Sequence, residues 1–201
     1  CGVVQAVARG ARHFGGQAYA SMLTQNADGT FRRDTLGFSR GGGVHKKLQH
    51  LYLLEYGSSP SSEAMAAAMG TLEAKAEFEG VQARVWIRTA YENGRVYLDL
   101  CDEYGRAVMV SAAGREVTTD PPVYFQRTKG MLALPLPVDG GKIDELQEFV
   151  NLDRSGFILC VAHVLHAYFP EYPHTILFLE GGQGTGKSSL ARKLRGLVDP
   201  H

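Results

Sequence analysis

From Val44 onward the apolar positions recur at the spacing of a helical face. Val44, Leu48, Leu51 and Tyr52 form one stripe, stopped by Gly57 and Pro60. Met65, Ala66, Met69, Leu72 and Ala76 form a second, with Ser61 or Ser62 as its cap and Gly80 as the left-handed residue expected to end it. The period then drops to two. Residues 81–91 and 95–101 read as strands joined at Asn93-Gly94, and turns at 102–105 and Ala113-Gly114 carry the alternation on through 107–111 and 116–119. A small antiparallel meander is predicted.

Upstream, Gly10, Gly15, Gly16, Gly29, Gly37 and the run Gly41-Gly42-Gly43 interrupt every helical pattern, so residues 1–43 read as an irregular segment. Downstream of the meander, Pro121-Pro122, Pro135, Pro137 and Gly140-Gly141 read as a linker, and helical spacing returns over 142–151. Asp153 caps a further helix that ends before Pro170, and the apolar run 175–179 has the composition of a strand covered on both faces. The expected organisation is an irregular segment over 1–43, a helical and β-meander region over 44–138, and a lead-in with a strand–loop–helix unit over 139–201. The fold class is α+β in the N-terminal region, followed by the start of an α/β domain.

Composition narrows the class. The 201 residues are 44% hydrophobic and 21% charged, as in a globular protein with an ordinary core. The 21 basic and 21 acidic side chains cancel, so no global field demands a nucleic-acid or membrane partner. Locally the balance fails: Arg9, Arg12, Arg32, Arg33, Arg40, Lys46 and Lys47 face only Asp28 and Asp34 over residues 1–50. Three widely spaced cysteines, Cys1, Cys101 and Cys160, do not make a disulfide framework, and a cytoplasmic location is expected. The longest apolar stretch, 157–169, is too short to span a bilayer and reads as a buried helix. Position 1 is Cys rather than Met, and the expectation is a fragment whose start lies upstream.

One segment carries chemistry. Gly181-Gly182-Gln183-Gly184-Thr185-Gly186-Lys187-Ser188 fits the pattern G-x-x-x-x-G-K-[ST] at every required position. Glycines allow the backbone to turn so that successive N–H groups aim at phosphate oxygens. Lys187 supplies an ammonium to the β and γ phosphates, Ser188 a hydroxyl to Mg²⁺, and the helix that follows directs its positive end at the anion. Ser189 opens that helix. Its apolar face is Leu190, Ala191, Leu194, Leu197 and Val198, and its basic face Arg192, Lys193 and Arg195. ATP and Mg²⁺ are the implied ligands.

The chain also resembles a family. The strings Asp120-Pro121-Pro122-Val123-Tyr124-Phe125-Gln126-Arg127-Thr128, Met131-Leu132-Ala133-Leu134-Pro135 and 176–192 are similar to P-loop ATP-binding proteins of phages and mobile elements, themselves akin to primase–helicase replication ATPases of the superfamily 3 and AAA+ type. The resemblance implies a P-loop NTPase domain that is entered through short helices, assembles as a homo-oligomeric ring in the full-length protein and moves DNA. Thirteen residues follow Ser188, which leaves no room for the strand bearing the second acidic motif. The chain is therefore expected to be truncated after the loop and to hydrolyse ATP poorly alone. The competing class is a nucleotide- or protein-binding module without turnover. A small-molecule kinase fits less well, because such enzymes usually open with their phosphate loop.

Other constellations are weaker. Cys160, His163 and His166 invite a metal, but on a helix the first and third lie about 120° apart, and packing is the expected role. Gly41-Gly42-Gly43 follows no strand and lacks the lysine–serine pair, so a loop is expected rather than an anion site. The sequence 44–101 has the order of a winged helix, but Glu63, Glu73 and Glu77 give the second helix the wrong sign for a DNA groove. The basic residues near Phe14, Tyr19 and Phe31 match single-strand binders, with solvated surface charge as the favoured reading and single-stranded DNA as a candidate partner. Glu180 reads as the strand's end. No carboxylate pair or nucleophile triad can be picked out around Ser155, Ser188 or the histidines.

Overall fold

The computed structural model describes residues 11–12, 17–39 and 42–201. The chain is mixed α+β, with helices and small antiparallel sheets, and it divides into two compact units. Unit 1 comprises residues up to Ile87 together with 103–106 and 119–128; unit 2 comprises 88–102, 107–118 and 129–201.

In unit 1, strands β1 (Ala11–Arg12), β2 (Ala18–Gln25) and β3 (Phe31–Gly37) form an antiparallel sheet in the order β1-β2-β3. The expected irregularity of residues 1–43 therefore does not extend to 18–37. The glycines there do not break the strands: Gly29, at φ +84°, sits in the β2–β3 turn, where Asp28 accepts from the Thr30 amide and hydroxyl. Those two bonds, the hydroxyl first, hold the Asp28 carboxyl below its usual range. Ala20, Met22 and Val44 form a buried cluster with Leu36, Phe38, Leu48 and Met69 against it. Burial of Val44, which is 0% exposed, contributes on the order of 2 kcal/mol.

Helix α1 (Gly43–Tyr56) ends at Gly57 in the left-handed region, as its stripe and stop predict. Helix α2 (Ser62–Phe78) is capped by the Ser61 hydroxyl, which accepts from the Ala64 amide. Its end differs from expectation. Glu79 caps it in a right-handed conformation, and Gly80 is not left-handed. Gly42 and Gly43 at the start of α1 are explained by close approach: a Cβ on Gly42 would run into Ser39 Oγ, and one on Gly43 would lie 2.9 Å from Leu36 Cδ2. Gly41 lies outside the described residues. Residues 85–86 leave the meander to form β4 (Val85–Trp86), which pairs in parallel with β9 (Tyr124–Phe125).

Unit 2 contains the meander. Strands β5 (Thr89–Glu92), β6 (Arg95–Asp99), β7 (Ala107–Ser111) and β8 (Gly114–Thr118) lie in sequence order, each antiparallel to the next. Asn93 and Gly94, both at positive φ, make the β5–β6 hairpin as the Asn-Gly dipeptide predicts. The segment 142–151 is a 3₁₀ helix, Ile143–Phe149, rather than an α-helix. Helix α3 (Arg154–Ala167) begins where the Asp153 carboxylate accepts from the Gly156 amide. It is less covered than its apolar sequence suggests: Phe157 and Cys160 are buried, whereas Ile158, Leu159 and Leu165 stay exposed. Helix α4 (Lys187–Val198) follows the glycine-rich loop.

An anchor at the far end of α4 ties it to the sheet. The buried Arg88 guanidinium donates from Nε to Asp199 Oδ1 (2.8 Å) and from its two terminal nitrogens to the Asp99 carbonyl (3.1 Å) and the Leu132 carbonyl (2.9 Å). The Leu132 amide donates to the Pro200 carbonyl, and the Leu134 amide to that of Leu100. One planar side chain thus collects strand, linker and helix end.

No helix among the described residues is long and apolar enough to cross a membrane.

Candidate functional site

Glycine freedom is needed in the segment 181–186, and the sequence supplies it. Gly181, Gly184 and Gly186 have φ of +152°, +80° and +84°, conformations in which a side chain is strained. At Gly181 a Cβ would also lie 2.9 Å from Thr185 Oγ1. Thr185 Oγ1 in turn donates to the Gly182 carbonyl at 2.9 Å and closes the turn from inside. Gln183 and Gly184 form its exposed tip.

Gly186 is the N-cap of α4 and offers no side chain to the helix, so the first-turn N–H groups receive no side-chain cap. Donors and the positive helix end therefore face the same way. Lys187 folds back over the loop: its Nζ donates to the Gly181 carbonyl (2.7 Å) and the Gly182 carbonyl (2.6 Å). The ammonium is held over the turn. Ser188, the expected Mg²⁺ ligand, is exposed one residue into α4, and its carbonyl accepts from Arg192 Nε.

A cavity of 340 Å³ opens beside the loop. Gly181, Thr185, Gly186, Lys187 and Ser189 form one wall, and Phe149 to Leu152 form the other, with Leu179, Glu180, Leu190 and Lys193 completing it. Gly182, Gln183, Gly184 and Ser188 stand outside this lining. The second wall was not foreseen from sequence. Residues 149–152 carry no motif; their one signal is a position between two helices. Lys193 fixes them, donating from Nζ to the Phe149 carbonyl at 2.6 Å with its charge 5.8 Å from the ring centre.

The segment 175–179, expected as a buried strand, is unpaired among the described residues. No strand is formed there, and Ile176 is 96% and Phe178 82% exposed. A parallel strand is covered only when neighbours pair with it and helices lie on both faces. Among the described residues nothing pairs with it, and only the Leu177 and Leu179 side is covered, by α3 and α4 around a second cavity.

The remaining candidates take ordinary places. Among the described residues no group of three His, Cys, Asp or Glu is placed to hold a metal ion. Cys160 points into the core, His163 Nδ1 lies 3.1 Å from Thr175 Oγ1, and His166 packs against Tyr172 and His174. Burial pushes the Cys160 thiol above its ordinary pKa, whereas Cys101 is partly exposed. In peptide mapping after iodoacetamide at pH 8, Cys101 is expected to label in the folded protein and Cys160 only after denaturation.

Of the N-terminal basic residues, Arg32 pairs with Asp34 and donates to the Glu103 carbonyl. Arg33 pairs with Asp120 and donates to the Pro121 carbonyl. Lys47 donates to Thr24 Oγ1, and Tyr19 is buried against Val85. Phe31 remains exposed. Arg9, Phe14 and Arg40 lie outside the described residues.

No protein-family model, curated protein or solved structure matches the chain.

Proposed function

We propose that this chain is the ATP-binding portion of a DNA-replication ATPase of primase–helicase type, from a phage or mobile element. The observation that carries the nucleotide part is the loop: three glycines at positive φ, an uncapped helix start and one ammonium converge beside a cavity. These residues fit a triphosphate. The amides of 181–189 would cradle its oxygens, Lys187 would leave the loop carbonyls for the β and γ phosphates, and Ser188 would reach Mg²⁺. Bound Mg²⁺ supplies charge neutralisation between the phosphates. The replication context rests on the sequence resemblance alone.

A second reading, binding without turnover, is favoured by one observation. Among the described residues lining the cavity, Glu180 is the single acidic side chain, whereas hydrolysis needs carboxylates to order metal and water.

Calorimetry with ATP and Mg²⁺ tests the loop, with Lys187→Ala as the control. A separate salt series on a fluorescent single-stranded oligonucleotide tests the DNA partner. Retention is expected at low salt with affinity falling steeply as salt rises. Absence of retention at low salt removes DNA from the reading and leaves the nucleotide claim standing.

A further inference from the structure

The cavity beside the glycine loop has two sides of different chemistry. The loop side offers amides, hydroxyls and the Lys187 ammonium, which is what a phosphate tail needs. The opposite side is apolar: Phe149, Val150 and Leu152 come from the stretch between the 3₁₀ helix and α3, and Leu179 and Leu190 meet them. Phosphate oxygens gain nothing from such a surface, whereas a flat ring system does. Pockets for small organic ligands combine these two kinds of lining, apolar area for most of the contact and a few polar groups for orientation.

One side chain keeps the apolar wall in place. The 3₁₀ helix Ile143–Phe149 buries none of its residues, and Phe149 is 61% exposed, so packing does not fix it. Lys193 does: its Nζ donates to the Phe149 carbonyl at 2.6 Å and lies 5.8 Å from the ring centre. On α4, Ser189 and Leu190 precede Lys193 by four and three residues, so all three share the face that lines the cavity. Lys193 stands six residues beyond Lys187, about 9 Å further along the helix axis. Lys187 serves the loop and Lys193 the wall. We infer, on the nucleotide reading above, that Lys193 is a positioning residue for the nucleoside half of the ligand: it fastens 149–152 so that a nucleobase lies against Phe149 and its apolar neighbours while the loop holds the phosphates.

Inorganic tripolyphosphate separates the two halves, because it carries the phosphate chain without ribose or base. In calorimetry with Mg²⁺ the wild-type chain is expected to bind ATP about tenfold more tightly than tripolyphosphate, the order of gain from one base stacked on one aromatic ring. Lys193→Met keeps the length of the side chain and removes the donor. It is expected to weaken ATP binding about tenfold and to leave tripolyphosphate affinity unchanged, whereas Lys193→Arg restores most of the loss. Phe149→Ala is expected to match Lys193→Met, and the double variant to add little to either, because one change removes the surface and the other its fastening. Retained tripolyphosphate binding shows in each case that the loop is folded. If Lys193→Met lowers tripolyphosphate affinity as much as ATP affinity, the lysine is a phosphate ligand and the inference is overturned. Equal affinity of the wild type for the two ligands overturns it as well, with the loop reading intact. A wild-type chain that binds neither ligand removes the loop reading and the inference together.

Discussion

Lys187→Ala is expected to remove the ATP–Mg²⁺ binding heat, weakening affinity by roughly 100-fold, while leaving the fold intact. The side chain reaches back from the first residue of α4 and makes its contacts at the protein surface, to the Gly181 and Gly182 carbonyls. Loss of surface contacts of that kind changes stability by no more than about 0.5 kcal/mol. Against a triphosphate the same ammonium makes charge-assisted bonds worth about 1.5–3 kcal/mol where water is partly excluded. Thermal unfolding offers a second measure. The wild type gains about 2.7 kcal/mol when ATP stands at 100 times its dissociation constant, and the variant gains only about 0.4 kcal/mol at the same concentration. Superimposable titrations of the two proteins would refute nucleotide binding by this loop.

The largest effect on stability is expected at Arg88→Ala. The guanidinium is 5% exposed and serves Asp199, the Asp99 carbonyl and the Leu132 carbonyl at once. Truncation removes two hydrogen bonds from a charged donor to the Asp99 and Leu132 carbonyls, each worth about 1.5–3 kcal/mol, and leaves the Asp199 carboxylate without its cation. Asp199 is 36% exposed and can rehydrate, which caps the total at about 3–4 kcal/mol. That corresponds to roughly 10 °C in the melting of the 201-residue chain. Asp199→Asn, which keeps one acceptor and removes only the charge, is expected to cost about 1 kcal/mol. A melting curve in which the two variants coincide would mean that the carbonyl contacts contribute nothing.

Local signals were legible where one short-range rule decides the backbone. Ser61 and Asp153 cap their helices, Gly57 ends α1, and Asn93-Gly94 turns the meander, each because a single side chain or a positive φ suffices. The hairpin β2–β3 was hidden because glycines that fall in a turn look like breaks when a helical period is sought. The segment 142–151 has helical spacing but winds as a tighter 3₁₀ helix that buries none of its side chains, so no packed face holds it to the α-helical period. At the site, the loop residues could be read from the motif, since each glycine answers a steric demand. The wall at Phe149 to Leu152 could not, because it is made by proximity between segments far apart in sequence and fixed by Lys193.

Helix α4 is held at its C-terminal end by the Arg88–Asp199 pair and begins, twelve residues earlier, with the loop lysine. At 1.5 Å per residue that is a rod about 18 Å long. Its C-terminal cap, Asp199, is fastened through one guanidinium to the residue that precedes β5 and to the carbonyl that closes β6, so loss of Arg88 frees the tail of the same helix whose head follows the glycine loop.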